Sequence, residues 1–239
     1  MDPVEAEIAR NLEEVRTRIG AAARRVNRDP GEITLIAVSK TFGVDRVRAA
    51  YSAGQRDFGE NKVQEALQKV GETADIQIRW HLIGHLQSNK VRKAASPFAC
   101  IHSIDSLDLL RRLDAAAADT GATPDVMVQV DLAGETTKFG APLEDARRIV
   151  DAALSCRAAR LIGLMLVPPW DEDQERTRPW FVRLRSLRDE WIAGGVPRDA
   201  LRHLSMGMSH DLEAAIEEGA TMVRVGTAIF GRRPPPQHA

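Results

Sequence analysis

The chain has 239 residues, with 33 Lys and Arg against 34 Asp and Glu, so its formal net charge is −1. A content of 44% hydrophobic and 28% charged residues excludes disordered and collagen-like classes, and the length suits one α/β barrel of about 250 residues or two small domains. Near-zero charge with both signs interspersed gives no footprint for nucleic acid, and the longest apolar runs fall far short of the ~20 residues of a membrane span. The N-terminus lacks a secretory pattern, and Cys100 and Cys156 are too few for a disulfide framework, so the expected compartment is the cytoplasm.

In chain order, Val4, Ile8, Leu12, Val15, Ile19, Ala22 and Val26 recur at steps of three and four and predict a long amphipathic opening helix. Asp29-Pro30-Gly31 breaks it. Residues 33–38 are a short, β-branched apolar run and read as a buried strand. Seven similar runs follow at 56–58, 79–83, 98–103, 125–130, 161–167, 201–205 and 221–225. Between and after them lie helical stretches at 44–53, 61–70, 89–95, 107–118, 143–154, 175–191 and 212–217. Apolar strands alternating with helices imply a parallel sheet covered on both faces. Eight such units favour a single closed (β/α)8 barrel of the TIM type over an open doubly wound sheet, with the first helix as an extra N-terminal element. One domain is expected over residues 1–231, and 232–239 read as a proline-rich flexible tail.

Barrels of this type place their sites at the C-terminal ends of the strands. The residues there are unusually polar: Ser39-Lys40-Thr41, Gly59-Glu60-Asn61, His81, the segment 205–209 and the segment 224–227. Lys40 directly follows a buried apolar strand, and desolvation lowers a lysine pKa and makes the amine a nucleophile toward an aldehyde. The bland alternative is a lysine that reaches solvent or pairs with Glu60. Gly226, Thr227, Ser205 and Ser209 lie after strands seven and eight, where barrels commonly hold a phosphate; turn formation and helix capping are the alternative use of the same residues. Phosphate and aldehyde together describe pyridoxal 5′-phosphate (PLP). Arg224 then gains a role as partner of the pyridine nitrogen, where a permanent cation keeps that nitrogen unprotonated and weakens the ring as an electron sink.

Several segments carry a resemblance: Ala37-Val38-Ser39-Lys40-Thr41; Phe58-Gly59-Glu60-Asn61; Trp80-His81-Leu82-Ile83-Gly84-His85-Leu86-Gln87-Ser88-Asn89-Lys90; Leu204-Ser205-Met206-Gly207-Met208-Ser209; and the stretch from Met222 to Gly231. The chain resembles the pyridoxal phosphate homeostasis proteins, the YggS/PROSC family. That resemblance implies a fold similar to the N-terminal domain of alanine racemase and PLP held as a reversible Schiff base on Lys40. It also implies phosphate contacts from Ser205, Ser209, Gly226 and Thr227, Arg224 at the ring nitrogen, and Asn61 and His81 flanking the cofactor. Members of the family act as carriers or regulators of vitamin B6 supply, and delivery of PLP to apo forms of PLP-dependent enzymes is the implied role.

The enzymatic rival is an amino-acid racemase, which needs a second acid or base opposite the lysine. Tyr51, the one tyrosine, falls in the helical stretch 44–53, and no further domain is expected to supply another. No helical His-Glu-x-x-His pair or paired cysteine spacing points to metal, and Cys100 and Cys156 read as small buried residues. Lys138 lies in the loop after strand five and is a secondary anion-contact candidate. Trp170 and Trp180 are expected to pack more than to contact partners. A monomer is expected.

Overall fold

A computed structural model describes residues 2–134 and 139–232. Eight parallel strands close into a barrel in chain order: β1 Thr34–Val38, β2 Asp57–Glu60, β3 Arg79–Leu82, β4 Cys100–Ile104, β5 Asp125–Gln129, β6 Arg160–Met165, β7 His203–Met208 and β8 Met222–Val225. Register Thr34↔Met222 joins β1 to β8 and removes both sheet edges. The helices are α1 Pro3–Arg25, α2 Val44–Ser52, α3 Val63–Glu72, α4 Val91–Ala94, α5 Leu107–Thr120, α6 Leu143–Ala153, α7 Gln174–Ala193, α8 Leu212–Glu217 and α9 Thr227–Phe230. The eightfold alternation is therefore a (β/α)8 barrel, as the hydrophobic pattern predicts.

Side chains alternate across each strand, which divides the apolar residues into two sets. Ile36, Cys100, Met127, Ile162 and Met222 fill the barrel interior. Leu35, Ala37, Phe58, Trp80, Leu82 and Ile101 pack outward against the helices. The opening helix α1 begins with Asp2 and Glu5 in a reciprocal capping box and buries Ile8, Leu12, Val15 and Ile19. It is fastened to the C-terminal part of the barrel: Arg18 donates to Glu213 at 2.6 Å, and Asn11 Nδ2 donates to the carbonyl of Ile229 at 3.0 Å.

Element boundaries depart from the sequence expectation where the site is built. Residues Arg198–Leu201 form a 3-10 turn, and β7 begins at His203 and runs on to Met208. Ser205 therefore sits inside a strand and not at its C-terminal end. Likewise β2 extends through Glu60, and α4 is a single turn preceded by a 3-10 turn at Ser88–Lys90. Residues 233–239 of the expected tail lie outside the described residues.

Candidate functional site

A cavity of about 390 Å³ opens at the C-terminal end of the barrel, within the range that holds small ligands. Lys40, Asn61, Ser209, Arg224, Gly226 and Thr227 line it, together with apolar Val38, Ile83 and Met165. Six of the eight residues singled out as cofactor contacts thus converge from β1, β2, β7 and β8.

Lys40 is placed by a turn with unusual backbone geometry. Thr41, a β-branched residue, has φ +71°, a region that costs of order 1–3 kcal/mol and persists only where the surroundings enforce it. Here Glu65 enforces it by accepting from the Thr41 N–H at 2.6 Å. Behind the turn, Lys69 Nζ donates to Glu60 at 2.6 Å, to the Ser39 carbonyl at 2.8 Å and to Glu65 at 3.0 Å, while the Ser39 hydroxyl donates to Glu60 at 2.6 Å. Glu60 faces α3 and holds Lys69 and Ser39. Burial pushes the Glu60 carboxyl up, against the pull of Lys69 and the two hydrogen bonds.

Arg224 is 4% exposed. It donates from Nη1 to Ser205 Oγ at 2.7 Å and from Nη2 to the Leu166 carbonyl at 2.9 Å. Burial lowers its pKa to about 10, partly offset by Asp211, so the guanidinium stays charged at neutral pH. Two fixed donors leave the rest of the fork toward the cavity.

Ser205 and His81 are placed differently from the expectation. The extension of β7 turns the Ser205 hydroxyl into the barrel interior, where it meets Arg224 and His102 and does not line the cavity. His81 also lies below the cavity floor, bonded to His102 and Asp57. Ser205 bonds Arg224 directly, and His81 is joined to it through His102 and Ser205. Their partners Asp57 and His102, and Lys69 behind the Lys40 turn, were not singled out from sequence; for His102 the alternation of Cys100 and His102 along β4 was the available signal, since it puts both on the inward face.

Gly84 explains how Asn61 reaches its position. A Cβ there would lie 2.3 Å from the Asn61 carbonyl oxygen, so only glycine lets the β3 loop pass beneath it. Asn61 Oδ1 is buried with no protein hydrogen-bond partner.

Trp180 packs against the core, as expected. Trp170 does not: it is 71% exposed and stands on the cavity rim. Cys100 is buried and Cys156 only half-buried. Tyr51 lies on α2 under the Arg56 guanidinium, 3.9 Å from its ring centroid, and does not line the cavity. Lys138 lies outside the described residues. His81, Cys100 and His102 bring three ligand-type atoms within 4.8 Å of one another, but the facing ring nitrogens are hydrogen-bonded to each other at 3.0 Å. No described helix is long and apolar enough to cross a membrane.

The family model for the N-terminal domain of alanine racemase matches residues 6–234. The barrel is thus of the alanine racemase N-terminal-domain class, with Lys40 following its first strand and Arg224 on its last. Curated relatives named pyridoxal phosphate homeostasis protein are 45% identical over 227 residues in Pseudomonas aeruginosa, covering 95% of this chain and 96% of that one, and 40% identical over 225 residues in Aquifex aeolicus, covering 93% and 96%. The PipY protein of Synechococcus elongatus, solved with PLP bound, superposes with a TM-score of 0.83 at 39% identity, covering 94% of this chain and all of that one. Alanine racemase from Clostridium difficile shares the fold at 16% identity and a TM-score of 0.74, with this chain spanning 58% of its length. The chain belongs to the pyridoxal phosphate homeostasis protein family.

Proposed function

We propose that this protein binds PLP in the cavity at the C-terminal end of the barrel, attaches it covalently and reversibly at Lys40, and holds it for delivery to apoenzymes. The observation that carries this reading is that one cavity gathers an amine, a permanent cation and a glycine-and-hydroxyl cradle, each suited to one part of the cofactor. The residues fit the group. Gly226 lines the cavity and packs so close to β1 that a Cβ there would lie 3.2 Å from the Val38 carbonyl oxygen. Asn61 Oδ1 is a buried acceptor that a ligand donor would satisfy.

When bound, the cofactor supplies an aldehyde that condenses reversibly with a primary amine. The chain's residues do the rest. Ser209, Thr227 and the backbone at Gly226 hold the phosphate, and Glu65 and Lys69 hold the turn that aims Lys40. Arg224 donates to the ring nitrogen and, as a cation held in place by Ser205 and Leu166, does not give up its proton to it. A ring kept unprotonated is a poor electron sink, which favours storage over carbanion chemistry. Tyr51 on α2 offers no second base for racemisation.

The test is the visible absorbance of purified protein with added PLP, for wild type and Lys40→Ala, followed by borohydride reduction and peptide mapping. A band present in wild type and absent from the variant, with the pyridoxyl group on the Lys40 peptide, supports the reading. The label on another lysine, or no band in either protein, would sink it. Incubation with L- and D-alanine then separates carrier from racemase: interconversion of the two would show the second reading to be correct.

A further inference from the structure

Five buried side chains from five strands form an unbroken line through the barrel. Arg224 Nη1 lies 2.7 Å from Ser205 Oγ, Ser205 Oγ lies 2.9 Å from His102 Nδ1, His102 Nε2 lies 3.0 Å from His81 Nδ1, and His81 Nε2 lies 3.1 Å from Asp57 Oδ1. Arg79 closes the line at the opposite end, donating from Nε to Asp57 at 2.7 Å. Asp57 and Arg79 line a separate cavity at the bottom of the barrel, beside Arg16 and Arg56.

Proton counting gives the line one direction. A carboxylate only accepts, so His81 Nε2 carries a proton and donates it to Asp57. A neutral His81 then accepts at Nδ1, so His102 donates through Nε2 and accepts at Nδ1 from the Ser205 hydroxyl. Ser205 in turn accepts from Arg224. Every donor has one acceptor, and every N–H and O–H points from the guanidinium toward the carboxylate. A cationic His81 would reverse the upper half and leave the Ser205 proton between two donors. The surroundings agree: burial pushes His102 well below the ordinary histidine range, with His81, Arg224 and His203 adding to it. Burial pushes Asp57 up, but hydrogen bonds from His81 and Arg79 outweigh it, and the net direction is down. The other titratable neighbours are Cys100, raised by burial, and Asp211 beside Arg224.

We propose that Asp57, His81, His102 and Ser205 are positioning residues for Arg224, and that the line transmits the charge state at the bottom of the barrel to the partner of the cofactor ring. The proposal rests on the reading that the cavity holds PLP against Arg224. Of the five, only Arg224 lines the cavity; Ser205 fixes the guanidinium's rotation, and the carboxylate at the far end polarises each bond in the same sense.

The test has two parts. Nitrogen-15 NMR of histidine-labelled apo protein at neutral pH is expected to show His81 and His102 both neutral, with Nε2 protonated and Nδ1 bare. In Asp57→Asn the amide turns its carbonyl toward Arg79 and its NH2 toward His81, and both tautomers are expected to reverse. With PLP added, the pH midpoint of the visible band is expected to fall by about half a unit in Asp57→Asn, because removing an anion leaves the Arg224 end more positive. Ser205→Ala, a smaller change that cuts the line beneath Arg224, is expected to move the midpoint in the same sense and serves if the first variant fails to fold. An Nδ1–H or imidazolium form in wild type would overturn the proposal. So would unchanged midpoints in folded variants that still carry PLP on Lys40. Absence of the band from wild type would instead remove the cofactor reading and this proposal with it, whatever the tautomers.

Discussion

The backbone N–H of Thr41 donates to the carboxylate of Glu65 at 2.6 Å while Thr41 holds φ +71°. That bond fixes the residue after Lys40, and Lys69 fixes the residue before it through the Ser39 carbonyl. The backbone on either side of Lys40 is thus set by side chains of α3.

Lys69→Met is expected to destabilise the fold by about 3–5 kcal/mol at neutral pH, because it leaves the Glu60 carboxylate buried without its cation. The loss should shrink in acid. Burial already raises the folded-state pKa of Glu60, and without Lys69 it rises further, so the penalty is absent below the ordinary glutamate pKa and grows as pH climbs through the raised value. Urea titrations at pH 5 and pH 8 check this; an equal loss at both would contradict it.

His102 stays neutral in the fold, depressed by burial. The unfolded chain therefore takes up a proton that the native state refuses, and stability is expected to fall below the ordinary histidine pKa, by up to about 1.4 kcal/mol per pH unit. The slope should flatten in His102→Gln, which cannot titrate. Thermal unfolding across pH 4.5–7.5 is the measurement, and identical slopes would contradict the assignment.

Gly84→Ala places a methyl group against the Asn61 carbonyl, with an unrelaxed separation of 2.3 Å. Overpacking against backbone of this kind costs about 1–3 kcal/mol. Because Asn61 lines the ligand cavity, PLP affinity is expected to fall with it, read by titration of the visible band. A variant stable and binding as wild type would mean that the β3 loop moves aside freely.

Trp170→Ala removes a side chain that is 71% exposed on the cavity rim. Stability is expected to change by no more than about 0.5 kcal/mol, while the quenching of tryptophan fluorescence on PLP binding diminishes and PLP leaves several-fold faster. Unaltered quenching and release would show that Trp170 does not face the bound cofactor.

The order of elements, the barrel closure and most of the cavity lining were legible in the sequence, because they depend on local rules. Strand and helix periods are carried by neighbouring residues, and the C-terminal end of each strand faces the same mouth, so Lys40, Asn61, Ser209, Arg224, Gly226 and Thr227 could be gathered without coordinates. That Ser205 and His81 bond into the barrel interior and do not line the cavity could not be read in this way. A three-residue shift in the end of β7 carries Ser205 from the strand's end to its interior, and strand ends are set by pairing with β6 and β8, not by local composition. The line from Arg224 to Asp57 joins residues from five strands, and the clamp of Lys69 on Ser39 spans 30 positions. No local pattern encodes which inward-facing polar groups meet across a closed barrel. The sequence by itself determined the class of fold and the chemistry of the groups at its mouth; only the tertiary structure decided which of them line the cavity and which bond to those that do, because hydrogen bonds across the interior depend on strand register and closure.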